Sequence, residues 1–256
     1  MKFGFSILMM LLLSGLVLGQ TSTLDNVHLF QTFLQDATIS TTPYGEAGLS
    51  YSDYDIFSLL NIGVQGGYAI NPQIEVDANW GLVNFSPDYG DGKFSISDLT
   101  VSGRYLLVSD AYKITAGGII TLPIGSKDAG QNNFDFGGFG ALRYPLSNGM
   151  VISGVVGLNF LEMTTVEYNQ STGEFEEKSE HKASLLISPG VIYPVNEQFN
   201  IVGELNFQTE IHWALLSGGV DYTLKSGSKV RGAIGFGLDK GAPDFMIMGS
   251  FLHFFH

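Results

Sequence analysis

The dominant pattern in this chain is an alternation of apolar and polar positions with a period of two. It begins near Tyr44 and recurs, segment after segment, to the C-terminus. In residues 74–82, Ile74, Val76, Ala78, Trp80 and Leu82 fall on one side, and Glu75, Asp77, Asn79 and Gly81 on the other. In residues 98–107, Leu99, Val101, Gly103, Tyr105 and Leu107 alternate with Asp98, Thr100, Ser102 and Arg104. The stretches 200–208 and 230–239 repeat the arrangement, with Ile201, Leu205 and Phe207 opposite Glu204 and Asn206, and Val230, Ile234 and Phe236 opposite Arg231. Period two predicts strands with two unlike faces. A soluble sandwich alternates in the same way, so other features must decide.

Length and spacing point to a membrane barrel. The segments run to roughly 9–13 residues, the length a tilted strand needs to cross a bilayer. Short turns (71–73, 109–111, 147–149, 195–197, 225–227) alternate strictly with longer or more polar connections at 52–55, 86–93, 125–133, 164–182, 208–211 and 239–244. Counting through them predicts roughly twelve strands, an even number as in single-chain outer-membrane barrels. Short turns would then face the periplasm and long loops the outside, with both ends of the barrel periplasmic. Tyr51, Tyr68, Tyr105, Tyr112, Tyr193, Phe207, Tyr222 and other aromatics fall near segment ends, where interfacial belts sit. In the closing segment, Phe245, Ile247, Phe251 and Phe255 form one set and Met246, Met248, Leu252 and Phe254 the other; both are apolar, so its facing is open.

The N-terminus sets the compartment. Lys2 precedes a short apolar run, and Val17 and Gly19 supply small residues before Gln20. Residues 1–19 therefore read as a cleaved signal peptide. Residues 20–43 lack strand periodicity and read either as a periplasmic tail or as a plug segment entering the lumen, and residues 44–256 as the barrel. The fold class is all-β: a transmembrane antiparallel up-and-down barrel. Composition agrees, because charged residues are only 14% of the chain and hydrophobic ones 45%, whereas ordinary globular domains carry about 25% charge. A net charge of −13 argues against nucleic acid as a partner, since phosphates demand a basic surface. The partners expected are outer-membrane lipid and lipopolysaccharide, the barrel-assembly machinery and a small-molecule solute. With no Cys, thiol catalysis and Cys-based metal sites are excluded.

Three short motifs carry a family resemblance. Ser97–Tyr105 (SDLTVSGRY), Leu122-Pro123-Ile124-Gly125 and Gly235–Phe245 (GFGLDKGAPDF) resemble conserved strands of the outer-membrane barrels grouped as the phenol-degradation meta-pathway (MetA-pathway) family, distantly akin to FadL-type channels. The C-terminus departs from the common final Phe by ending Phe255-His256. The resemblance implies the barrel architecture, with passive transport of small, hydrophobic or aromatic solutes as the expected function and a structural or adhesive barrel with a plugged lumen as the alternative.

Charged residues on the polar side of the strands are the candidate lumen-lining set: Glu46, Glu75, Asp77, Asp98, Arg104, Arg143, Glu204, Asp221 and Arg231. They form either a polar pathway for solutes or an internal ion-pair network filling a narrow barrel. Ile119, Phe139, Val155 and Leu186 share that face and would suit a less polar solute. No cofactor or metal is expected: Asp88, Asp91 and Asp98 lack the full calcium-loop spacing. Nor is an enzyme, since His181 and His212 have no marked nucleophile beside them.

Overall fold

The computed structural model describes residues 23–127, 131–169 and 174–255; the expected signal peptide lies outside them. Thirteen strands follow one another: β1 (Tyr44–Tyr54), β2 (Phe57–Asn71), β3 (Ile74–Pro87), β4 (Lys93–Ile96), β5 (Leu99–Ser109), β6 (Lys113–Leu122), β7 (Asp135–Pro145), β8 (Val151–Asn169), β9 (Glu174–Pro194), β10 (Phe199–Gln208), β11 (Trp213–Thr223), β12 (Lys229–Gly237) and β13 (Phe245–Phe254). Apart from β4 and β5, which both pair with β3, sequence neighbours pair antiparallel, and β1 pairs with β13 to close the sheet. The strands β4 and β5 lie end to end along β3. The closed barrel therefore has twelve staves, the number expected from the turns.

Closure follows from the solvent. A bilayer core offers no hydrogen bonds, so an open sheet edge there is untenable, and a closed antiparallel sheet has none. The period-two pattern becomes two cylindrical surfaces. Outside, Val64 (55% exposed), Leu107, Val156, Leu216, Ile234 and Phe251 form an apolar band, a lipid-facing surface rather than a soluble one. Tyrosines 68, 105, 112, 193 and 222 lie outward toward the end where β1 starts and β13 finishes, here the near end. Phenylalanine pairs circle the far end: Phe57–Phe85, Phe136–Phe160 and Phe236–Phe245, with centroids 5.1, 5.0 and 5.7 Å apart. In β13, Met246, Leu252 and Phe254 are buried while Ile247 and Phe251 are exposed, which settles its facing.

Three expectations about connections are corrected. The alternation of short and long is not strict, because β1 and β2 join at the far end through residues 55–56 alone. The segment 86–93 ends in β4, which pairs back onto β3 from Leu82↔Ile96 to Phe85↔Lys93. Residues 164–169 and 174–182, expected within a loop, are strand: β8 and β9 remain paired as far as Asn169↔Glu174. The partner strand β7 stops at Phe136↔Phe160, so a two-stranded ribbon projects beyond the barrel by roughly 30 Å at 3.3 Å per residue. Its charged residues hid a continuing alternation, in which Val166, Tyr168 and Phe175 are exposed on one face.

Candidate functional site

The inward-facing charges do not line an open channel. Residues 24–40 run through the near half of the lumen, with two short 3-10 turns at Thr23–Asn26 and Phe33–Gln35. Nearly all of this segment is buried, including Val27, His28, Leu29, Phe33, Asp36 and Ala37. It is joined to the wall through residues 41–43, ahead of β1, and is here termed the plug. Leu24, Val27, Leu29 and Phe30 pack against Val151, Ile192, Val202 and Ala233 of the wall. Ala37 seats against Phe139, Ala141, Val155 and Leu186. Two wall glycines make room for it: a Cβ on Gly219 would lie 2.7 Å from the Phe30 ring, and one on Gly190 3.1 Å from Leu29.

A plug without regular structure must satisfy its buried carbonyl and amide groups with side chains, and the wall charges do so. Glu204 accepts hydrogen bonds from the backbone N–H groups of Phe30 and Gln31, the latter at 3.0 Å. Glu75 accepts from Ser40 N–H at 2.5 Å. Ser102 and Thr115 donate to the carbonyls of Leu34 (2.8 Å) and Asp36 (3.0 Å), and the Lys229 ammonium donates to Asn26 O at 2.8 Å.

The three lumen arginines make three unlike clusters. On β5, Arg104 pairs with Glu75 and Asp77 of β3 and with the Tyr44 hydroxyl, and reaches Phe33 O of the plug at 3.5 Å. On β12, Arg231 donates twice to Glu46 at 2.8 and 2.7 Å, lies 3.3 Å from Asp221, and donates to plug carbonyls at His28 and Leu29. Its guanidinium also stacks 4.5 Å over the Phe30 ring. On β7, Arg143 grips Asp36 of the plug with two donors, Nε–H at 2.7 Å and an Nη2–H, and spends the rest on the carbonyls of Leu24 and Val27. His28 lies between Phe33 and Tyr44, with ring centroids 4.8 Å from each, and 3.5 Å from Asp36.

One predicted site residue stands elsewhere. Asp98 shares the inward face with Arg104 but sits in the break between β4 and β5, far along the stave. Its carboxylate accepts from the backbone N–H groups of Gly125, Asn132 and Asn133 at 2.8, 2.8 and 3.0 Å, so it ties together the two described arms of the β6–β7 connection. Sequence reasoning missed Lys229, although it shares the parity of Arg231. It also missed His28 and Asp36, for which no local pattern exists.

Above the plug, the far half of the lumen holds a cavity of about 570 Å³, within the range of ligand sites. Leu34 of the plug contributes to its lining, together with Glu46, Gln65, Asn79, Thr100, Thr121 and Asp135 of the wall; none of the described lining residues is basic.

No family model matches the chain, and no curated protein matches it either. Solved structures do. An outer membrane channel from Pseudomonas putida F1 superposes with a TM-score of 0.64 at 13% identity, over 85% of this chain and 97% of that one. The KdgM porin, solved in complex with disordered oligogalacturonate, superposes with 0.52 at 10% identity over 82% and 99%. The NanC porin gives 0.51 at 9% identity over 84% and 100%. At such identities the likeness establishes the outer-membrane barrel fold.

Proposed function

We propose that the protein is an outer-membrane channel for small, weakly polar solutes whose lumen is closed by its own N-terminal segment. One observation carries this reading. The plug is held to the wall by side-chain contacts and pairs with no strand, and it covers a wall that combines arginines with an apolar strip of Phe139, Val155, Leu186, Ile192 and Val202. Displacing it would open a path without breaking a strand pairing. The motif resemblance to barrels tied to aromatic-compound uptake supports an apolar or aromatic solute, as does that strip. The near end would lie in the periplasm and the β8–β9 ribbon outside, after insertion by the barrel-assembly machinery. Accordingly, Ser179→Cys should react with an impermeant maleimide on intact cells, and Ser147→Cys should not.

The chain has no native Cys, so a single disulfide can test the plug. Cysteines at Ala37 and Ala141, which pack together, would lock it to the wall. Proteoliposomes carrying this variant should take up small aromatic solutes only when reduced. Uptake by neither the reduced variant nor the native chain would favour a structural barrel with a permanently seated plug, a reading that the many plug–wall hydrogen bonds also support.

A further inference from the structure

The clusters around the three arginines differ in what would remain if the plug withdrew. Arg104 would keep Glu75 and Asp77, and Arg231 would keep Glu46 and Asp221, all of them wall residues. Arg143 would keep nothing: every hydrogen bond its guanidinium makes among the described residues goes to the plug, two to Asp36 and one each to Leu24 O and Val27 O. It would stand as a lumen-facing cation with its planar fork free, the geometry that binds a carboxylate bidentately.

Its surroundings define the rest of a ligand. Beside Arg143 in the register is Ser153 of β8, 2% exposed, whose hydroxyl has no hydrogen-bond partner among the described residues. Farther along the same inward face come Ala141 and Phe139, opposite Val155 and Gly157, with Leu186 next to Gly157 on β9. These apolar side chains are the ones that Ala37 now covers. The plug thus places a carboxylate on Arg143 and an apolar group on the adjoining strip.

We infer that Arg143 and the strip of Phe139, Ala141, Val155 and Leu186 form a binding site for an organic carboxylate with an apolar or aromatic body, which the plug occupies as an internal mimic through Asp36 and Ala37. Such a solute would compete with the plug for Arg143, so binding and unplugging would be one event. The inference rests on the channel reading for access to the site, since the plug must be able to leave it. It narrows the solute class from weakly polar compounds to apolar acids. A purely inorganic anion would satisfy the fork and leave the strip uncovered, and a neutral aromatic would leave Arg143 uncompensated, which is costly in a buried setting.

The test uses the full chain in detergent, with 4-phenylbutyrate as probe, its amide as neutral control and acetate as the acid lacking an apolar body. Calorimetry should show Asp36→Asn binding 4-phenylbutyrate at least tenfold more tightly than the native chain, with the amide and acetate far weaker. Arg143→Gln in the Asp36→Asn background should abolish the binding, while heat-modifiable migration on gels confirms a folded barrel. Should that variant fail to fold, Leu186→Trp, which fills the strip, should abolish it instead. Equal affinity of the native and Asp36→Asn chains, equal binding of acid and amide, or binding that survives both wall substitutions would overturn the site. Solute uptake by the same proteins in liposomes is read separately. Uptake without acid-selective binding removes the site and keeps the channel, and binding without uptake does the reverse.

Discussion

Arg231 and Arg143 occupy similar depths in one lumen and are equally buried, yet they belong to different parts of the molecule. Arg231 is tied to Glu46 on β1 and Asp221 on β11, carboxylates fixed in the wall of which it is itself a part. Arg143 is tied to Asp36 and two carbonyls of a segment that only fills the barrel. A buried ion pair contributes little net stability against an apolar alternative, but breaking one strands a charge. Where the stranded charge can go is the difference. Glu46 and Asp221 are fixed in the wall, whereas Asp36 would move with the plug if the plug withdrew. The first cluster therefore reads as architecture and the second as a latch.

The largest effect should come from Arg231→Ala, which leaves Glu46 without a cation and Asp221 with the Lys229 ammonium alone, 3.0 Å away, and should destabilise the barrel by about 3–5 kcal/mol in urea unfolding from lipid vesicles. Arg143→Ala should leave the barrel midpoint nearly unchanged while exposing residues 24–40 to protease. Similar destabilisation by both substitutions would dissolve the distinction between wall and latch.

Next in size is a pair of neighbours on β2. Val64 points to lipid and Gln65 to the far cavity, where its amide donates to Glu46 at 3.0 Å. Val64→Arg should cost about 2–4 kcal/mol if it lies near the bilayer midplane, and Gln65→Arg about 1 kcal/mol or less. A large loss from Gln65→Arg would mean that the far lumen is as tightly specified as the near one, and the comparison would have to be drawn between wall and lumen alone.

How much of this was legible beforehand follows from what is local. Facing alternates residue by residue, so the twelve staves and the inward positions of Glu75, Asp77, Arg104, Arg143, Glu204, Asp221 and Arg231 can be read from parity. Height along the stave is not encoded in parity. Asp98 shares a face with Arg104 but lies six residues away, roughly 20 Å at 3.4 Å per residue, and so it holds a loop rather than an arginine. The ribbon of β8 and β9 was hidden because its glutamates resemble a solvated loop, although pairing depends on backbone and register. The plug was illegible for a third reason: it has no period, and Asp36 acquires meaning only from Arg143, 107 positions later in the chain. Contacts of that kind depend on closure of the barrel, which no short window of sequence contains.

The smallest expected effect tests whether plug and wall unfold as separate units. Ser102 on β5 lies two residues from Arg104 and donates its hydroxyl to Leu34 O at 2.8 Å, with Asp77 Oδ2 at 3.2 Å as a second acceptor. Ser102→Ala removes the hydroxyl and leaves the wall ion pair of Arg104 with Glu75 intact. A typical hydrogen bond contributes about 0.5–1.5 kcal/mol, so the plug should open up to about tenfold more often. Hydrogen exchange followed by mass spectrometry should show faster exchange across residues 24–40 and no change in β5 or β3. If the strand amides accelerate with those of the plug, the two open together, and Arg143 would be as much a part of the architecture as Arg231.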